Sequence, residues 1–142
     1  ATAIFVLSGG PLVNGPVKYY EMNYLTTLDP VHFGPDGATN YAWFDSTNTI
    51  IPGTSVNKYT LGNSLDYFLI NCFIDNNGNT VLIIYGYGGL GTFAGALYFK
   101  EVLHPSNGAM FTPGWKIFQW MDTNGNHLPD IGVDTFTQVA SS

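Results

Sequence analysis

Hydrophobic and polar positions fall into blocks that change texture along the chain. Residues 3–8 (AIFVLS) are a β-branched and aromatic run closed by Gly9-Gly10-Pro11, which predicts a buried strand and a tight turn. In residues 13–25, Val17, Tyr20, Tyr24 and Leu25 recur near helical spacing, and a short helix is expected to start near Pro16. Residues 26–66 are punctuated by Asp29-Pro30, Gly34-Pro35-Asp36-Gly37, Pro52-Gly53 and Gly62-Asn63. The pieces between them, residues 40–44 and 57–61, read as short strands among hairpins and loops.

Residues 66–74 and 80–85 are strand-like on either side of Asp75-Asn76-Asn77-Gly78-Asn79, and Asn77-Gly78 is the dipeptide that best tolerates a tight turn. A glycine stretch, residues 86–91, leads into residues 92–103 (TFAGALYFKEVL). That segment is apolar over most of its circumference and predicts a buried helix opened by Thr92 and stopped before Pro105. Residues 115–121 read as a strand, 122–130 as a polar loop and 134–140 as a final alternating strand. The order predicts a single small domain, residues 1–142, of α/β or α+β class, with a mixed β-sheet, hairpins and about two helices.

Composition narrows the partners. Charged residues make up 10% of the chain, against a typical ~25%. The basic residues are four lysines against ten acids, for a net charge of −6. Nucleic acid and an anionic membrane surface both demand clustered Lys or Arg, so neither is an expected partner. No stretch reaches the ~18 apolar residues of a membrane span. Asn, Thr, Ser, Gly and Tyr must coat the surface, and aromatics reach 15%. Such a coat predicts a protein that buries much of its surface against neighbours. Cys72 is the one cysteine and lies in an apolar run, which predicts a buried small hydrophobe. The start, Ala-Thr-Ala without a Met, is expected of a processed, exported chain or an excised fragment.

Two motifs carry candidate chemistry. Gly86, Gly88 and Gly91 match a dinucleotide loop in spacing. The chain has no Arg, and no acid stands ~20 residues on to hold a ribose, so close packing of helix on sheet is the expected use. Asp122, Asn124, Asn126 and Asp130 place oxygen side chains at relative positions 1, 3, 5 and 9, with Leu128 at the backbone-carbonyl position between and Asp134 four residues further on. This layout makes Asp122, Asn124, Asn126, Leu128, Asp130 and Asp134 a candidate calcium set. Gly125 comes early for such a loop and Val133 replaces the bidentate Glu, so the expected affinity is modest; an Asx-rich turn is the competing reading. The three histidines lack metal-ligand spacing, and no nucleophile elbow or catalytic residue set is present.

Two segments carry a resemblance. IFVLSGGPLVN at residues 4–14 resembles the strand–Gly-Gly-Pro–helix unit of archaeal surface-layer (S-layer) proteins. TVLIIYGYGGLGTFAGA at residues 80–96, with Gly91-Thr92-Phe93-Ala94, resembles their later strand–glycine–helix unit, and residues 115–134 resemble their closing strand and Asp/Asn-rich loop. The resemblance implies a secreted archaeal cell-surface protein without catalytic residues, part of a lattice, tube or pilus-like filament. The expected function is then self-assembly outside the cell, stabilised by calcium, with copies of itself as partner and other surface proteins or cell-wall glycans as further ones. In one variant residues 1–10 are an exchanged strand completing a neighbour's sheet. The alternatives are a carbohydrate- or cell-wall-binding module, stacking sugars on Tyr41, Trp43, Trp115 or Trp120, and a small hydrolase.

Overall fold

The apolar run of residues 65–74 becomes the centre of the fold. In the computed structural model, which describes residues 3–107 and 112–142, it forms a ten-residue strand, β5 (Leu65–Ile74). In chain order, β1 is Ile4–Ser8, β2 Val31–Asp36, β3 Asn40–Asp45, β4 Val56–Asn57, β6 Thr80–Gly86, β7 Gly114–Met121 and β8 Thr135–Ser141. The main sheet has the order β1-β6-β5-β7-β8, and β2-β3-β4 form a small antiparallel sheet. In the main sheet only β1 and β6 run parallel. The helices are α1 (Gly15–Met22), the single turn α2 (Tyr24–Thr27) and α3 (Gly89–Tyr98). The result is the small α+β domain with a mixed sheet that the sequence predicts.

Both faces of the main sheet are covered. Under α3 lie Phe68, Ile70, Cys72, Leu82, Ile84, Phe118 and Trp120, with Ala94 of α3 packed onto them. On the opposite face, Leu69, Phe73, Val81, Ile83, Tyr85 and Ile117 meet Val17 of α1 and Val31, Trp43 and Ile51 of the small-sheet layer. Side chains alternate between faces along a strand, so residues 68–73 must be apolar at nearly every position. Each large side chain so buried contributes roughly 1.5–3 kcal/mol.

Local signals set the element ends. The Asn14 side chain accepts the Val17 amide at 3.1 Å, and Pro16 fits the first turn of α1. In the β5–β6 turn, Asp75 Oδ1 accepts the amides of Asn77 and Asn79 at 2.9 and 2.8 Å, and Gly78 takes φ +81°.

Four expectations change. The strand at residues 3–8 forms but is exposed: it is the sheet's edge, with β6 its one neighbour, and an apolar run reads the same at an edge as at a centre. It pairs within its own chain's sheet, and residues 1 and 2 of the proposed exchanged segment lie outside the described residues. Residues 58–60 form a single 3-10 turn instead of a strand, because the Asn57 side chain accepts the Tyr59 amide at 2.9 Å. The second helix starts at Gly89, three residues before Thr92, and leaves Phe93 exposed. It also continues through a wide π turn (Phe99–Leu103) into His104–Asn107.

Polar groups tie the small-sheet layer to the main sheet. Glu21 Oε1 accepts the Phe33 amide at 2.6 Å, and the Glu21 carboxyl interacts with the Tyr85 hydroxyl, which accepts Trp43 Nε1 at 2.9 Å. Asp29 Oδ1 accepts the Val31 amide at 3.1 Å and the Asn71 side-chain amide at 2.8 Å. Glu21 and Asp29 are buried, and among the described residues neither has a lysine partner. Glu21 Oε2, Asp29 Oδ2 and Asn71 Oδ1 are left without a hydrogen-bond partner. Burial pushes the Glu21 carboxyl up to about 8 and the Asp29 carboxyl up to about 7.

The sign of the resulting pH dependence is fixed. Both folded-state values lie above the ordinary 4.5 and 3.8, so the stability tied to these protons is complete below about pH 4. It is lost as pH rises through about 7 and 8, at ~1.4 kcal/mol per pH unit of displacement. Against this, hydrogen bonds from Thr47 and Thr49 hold Asp45 below the usual carboxylate range, a contribution lost on stronger acidification. Thermal melts should therefore be highest near about pH 4 to 5, fall progressively as pH rises to about 8 and change little beyond it. Glu21→Gln with Asp29→Asn should flatten this fall; a melting temperature that rises from pH 5 to pH 9 would contradict the assignment.

Candidate functional site

The two glycine turns singled out in the sequence converge. β1 and β6 are adjacent and parallel, so Gly9-Gly10-Pro11 and Gly86–Gly91 leave the same end of the sheet side by side, at the carboxyl ends of the two strands. The helices that follow go to opposite faces, α1 to the Trp43 side and α3 to the Phe68 side. This is a topological switch point, the usual place for a ligand crevice in a sheet with parallel strands. A crevice of about 240 Å³ lies there, lined by Gly10, Leu12, Val13, Phe33, Tyr85, Tyr87 and Gly88 among others. The two phenol hydroxyls are engaged elsewhere: that of Tyr85 accepts Trp43 Nε1, and that of Tyr87 donates to the Thr54 carbonyl.

The anion site that such a loop could offer is filled from within. Asp66 Oδ2 accepts the amides of Gly88 and Gly91 at 3.0 and 2.9 Å, and its Oδ1 accepts the Tyr67 amide at 2.8 Å. A side-chain carboxylate thus stands where a pyrophosphate would meet the start of α3. Burial pushes the Asp66 carboxyl up, opposed by these amide donors. The glycines serve close approach. A Cβ on Gly86 would sit 2.4 Å from the Gly91 backbone, and one on Gly91 would sit 2.6 Å from the Asp66 carboxyl. The Thr92 hydroxyl, expected to open the helix, instead accepts the Gly86 amide at 3.0 Å and donates to the Gly88 carbonyl.

The polar loop brings all six of its candidate residues into one bonded group. The Asp122 side chain is nearly fully buried and accepts the amides of Asn124, Gly125 and His127 at 3.2, 3.1 and 2.9 Å. The side-chain amides of Asn124 and Asn126 both donate to Asp130 Oδ2, at 3.2 and 2.6 Å. Leu128 lies in the same turn and gives its amide to Asn126 Oδ1 at 3.0 Å. Asp134 joins the group through the Asp130 amide and otherwise bonds outside it. Its Oδ2 accepts Trp120 Nε1 and the Asp130 amide, and its Oδ1 accepts the Thr123 amide. Its burial is outweighed by these donors, which hold its carboxyl below the usual range. Asp134 closes the loop onto β7.

The loop's oxygens are largely engaged from within: Asn124 Oδ1 accepts the Asn126 amide at 3.1 Å and Asn126 Oδ1 the Leu128 amide at 3.0 Å, the bonding of an Asx-rich turn. Among the described residues, no three His, Cys, Asp or Glu side chains gather as a metal group; this loop relies on Asn for half of its side-chain donors.

Packing removes two of the four aromatics named for sugar stacking. Trp43 and Trp120 are fully buried, and Trp43 stacks on Tyr87 at 4.0 Å between ring centroids; Tyr41 and Trp115 keep partial exposure. Cys72 is buried beneath α3, as expected. Sequence reasoning did not find the buried acids Glu21, Asp29 and Asp66 as a group, although Asp66 could be noticed as the one acid in an otherwise apolar strand. The chain matches no protein-family model, no curated protein and no solved structure.

The two uses of the glycine turn separate by substitution. Gly86→Ala and Gly91→Ala should each destabilise the fold by about 3 kcal/mol or more, because backbone or a buried carboxyl must move. Gly89→Ala meets nothing within 4 Å, so it should change stability by less than ~0.5 kcal/mol. Equal, small effects at all three positions in chemical denaturation would contradict the close-packing role.

Proposed function

We propose that this chain is a non-enzymatic structural subunit that assembles with copies of itself outside the cell, as a surface layer, tube or pilus-like filament. The observation that carries the reading is the apolar strip along β1 and the turn after it. Ile4 is 58% exposed, Val6 60%, Leu12 79% and Val13 84%. An edge strand of this kind is normally blunted by charge or proline. The residues around it also lack charge, and a net charge of −6 spread over ten acids and four lysines gives a free monomer few solubilising charges.

The resemblance to archaeal surface-layer proteins supports the same reading and adds export and a cell-surface location. No helix among the described residues is long and apolar enough to cross a membrane. Calcium belongs to the proposal through Asp122, Asn124, Asn126 and Asp130, with the Leu128 backbone. Outside a cell the ion is at about millimolar level, where a weak site fills. It would stiffen the loop or bridge it to a neighbour. Glycans and other surface proteins remain secondary partners in this reading.

Negative-stain electron microscopy of the purified chain with calcium and with excess chelator tests it. Regular layers, tubes or filaments with calcium, loosened by chelator, are expected. Assemblies indifferent to chelation would remove the calcium role alone. A monodisperse monomer in both conditions would overturn the self-assembly reading.

A further inference from the structure

The outward-facing groups of β1 can be assigned from its ladder. The Ala3 carbonyl accepts the Thr80 amide at 3.0 Å, and the Gly9 amide reaches the Ile84 carbonyl at 3.1 Å. Alternate residues of a strand turn their backbone groups to the same side, so Ile4, Val6 and Ser8 direct theirs away from β6. The Ser8 carbonyl is taken by the Asn14 side-chain amide at 2.9 Å. The amides of Ile4, Val6 and Ser8 and the carbonyls of Ile4 and Val6 face no strand among the described residues.

The opposite edge of the same sheet is β8, and it complements β1 in three ways. The first is direction. β1 runs with β6, and β5, β7 and β8 then alternate, so β8 runs opposite to β1. A second copy that continues the sheet in the same sense therefore presents β8 antiparallel to β1. The second is layering. Val6 lies in the row of Leu82, on the α3 side, and Leu7 in the row of Ile83, on the other. On β8, Phe136 packs into the α3-side core, while Val139 and Ala140 pack against the other. Joining the two edges would continue both apolar layers. The third is charge. Neither strand contains a charged residue (IFVLS and TFTQVAS), although the chain as a whole carries −6. Copies that repel elsewhere meet at these edges with no carboxylate against another.

We propose that β1 of one copy pairs antiparallel with β8 of the next, so that the main sheets join head to tail. The contact is heterologous and leaves a free β1 and a free β8 at the two ends, which permits open-ended growth. Leu12 and Val13 extend the exposed apolar strip beyond the strand itself. This inference rests on the self-assembly reading and names its interface.

Disulfide-independent cross-linking tests it on the full chain. One chain carries Val6→Cys and another Gln138→Cys; Val6 and Gln138 both lie in rows on the α3 side of the sheet. The parent chain, with buried Cys72 alone, is the control. A short bismaleimide added to the mixture should give mixed dimers at least tenfold above either chain alone. A chain carrying both substitutions should give a ladder of multimers. Dimers of Val6→Cys by itself would show β1 pairing with β1 about a two-fold axis and overturn the head-to-tail contact. Assemblies visible by microscopy without cross-links would place the interface elsewhere and overturn this inference while the self-assembly reading stands. A monomer at all concentrations would overturn both.

Discussion

The structure depends on burying both faces of one strand. From Phe68 to Phe73 every residue of β5 is buried, and successive side chains serve opposite cores. A helix alone would cover one face, so the chain needs a second layer, supplied by α1 and the small sheet. The two layers also explain the glycine turn. α3 must cross Gly86 at backbone distance to cover β5 and β6, and Asp66 reaches up from the start of β5 to hold its first amides. The same burial that fixes the faces leaves the edges, β1 and β8, as the sheet's open sides.

The second layer is held partly by buried acids, and this connects composition to environment. Glu21 and Asp29 are buried. Glu21 accepts a backbone amide beside the Tyr85 phenol, and Asp29 accepts a backbone amide and a carboxamide. Uncharged carboxyls suit such surroundings, because an ionised group would face several kcal/mol of desolvation without a counter-charge. A chain with four lysines has little else to offer. The one carboxylate–lysine pair among the described residues, Lys100 with Glu101, is exposed, and exposed pairs contribute ~0–1 kcal/mol. Cohesion thus comes from apolar burial and neutral hydrogen bonds, which also suits a surface that packs against neighbours.

Local signals were legible in the sequence and long-range ones were not. The β5–β6 hairpin was readable because Asn77-Gly78 separates two β-branched runs, and α1 because Asn14 and Pro16 mark its start. The glycine turn was readable as a packing device, since small residues before a helix have few other structural uses. By contrast, nothing near Asp66 shows that its carboxyl will cap a helix 22 to 25 residues later. The exposure of β1 depends on which strand lies beside it, which periodicity does not encode. The Asp/Asn loop was legible as a cluster. The departure of Asp134 to clamp Trp120 and Thr123 depends on strand register, and register is a tertiary property. The buried Trp43 and Trp120 make the same point: abundance of Trp was visible, and its orientation was set by the two cores.

The proposed self-assembly rests on a sheet covered on both faces and open at both edges. Amide hydrogen exchange, read residue by residue in dispersed and in assembled protein, tests it most directly. The account predicts that the amides of Ile4, Val6 and Ser8 exchange quickly in dispersed protein and become protected on assembly, while those of Phe5 and Leu7, already paired with β6, change little. Ile4, Val6 and Ser8 amides that exchange as fast in the assembly as in the monomer would contradict it.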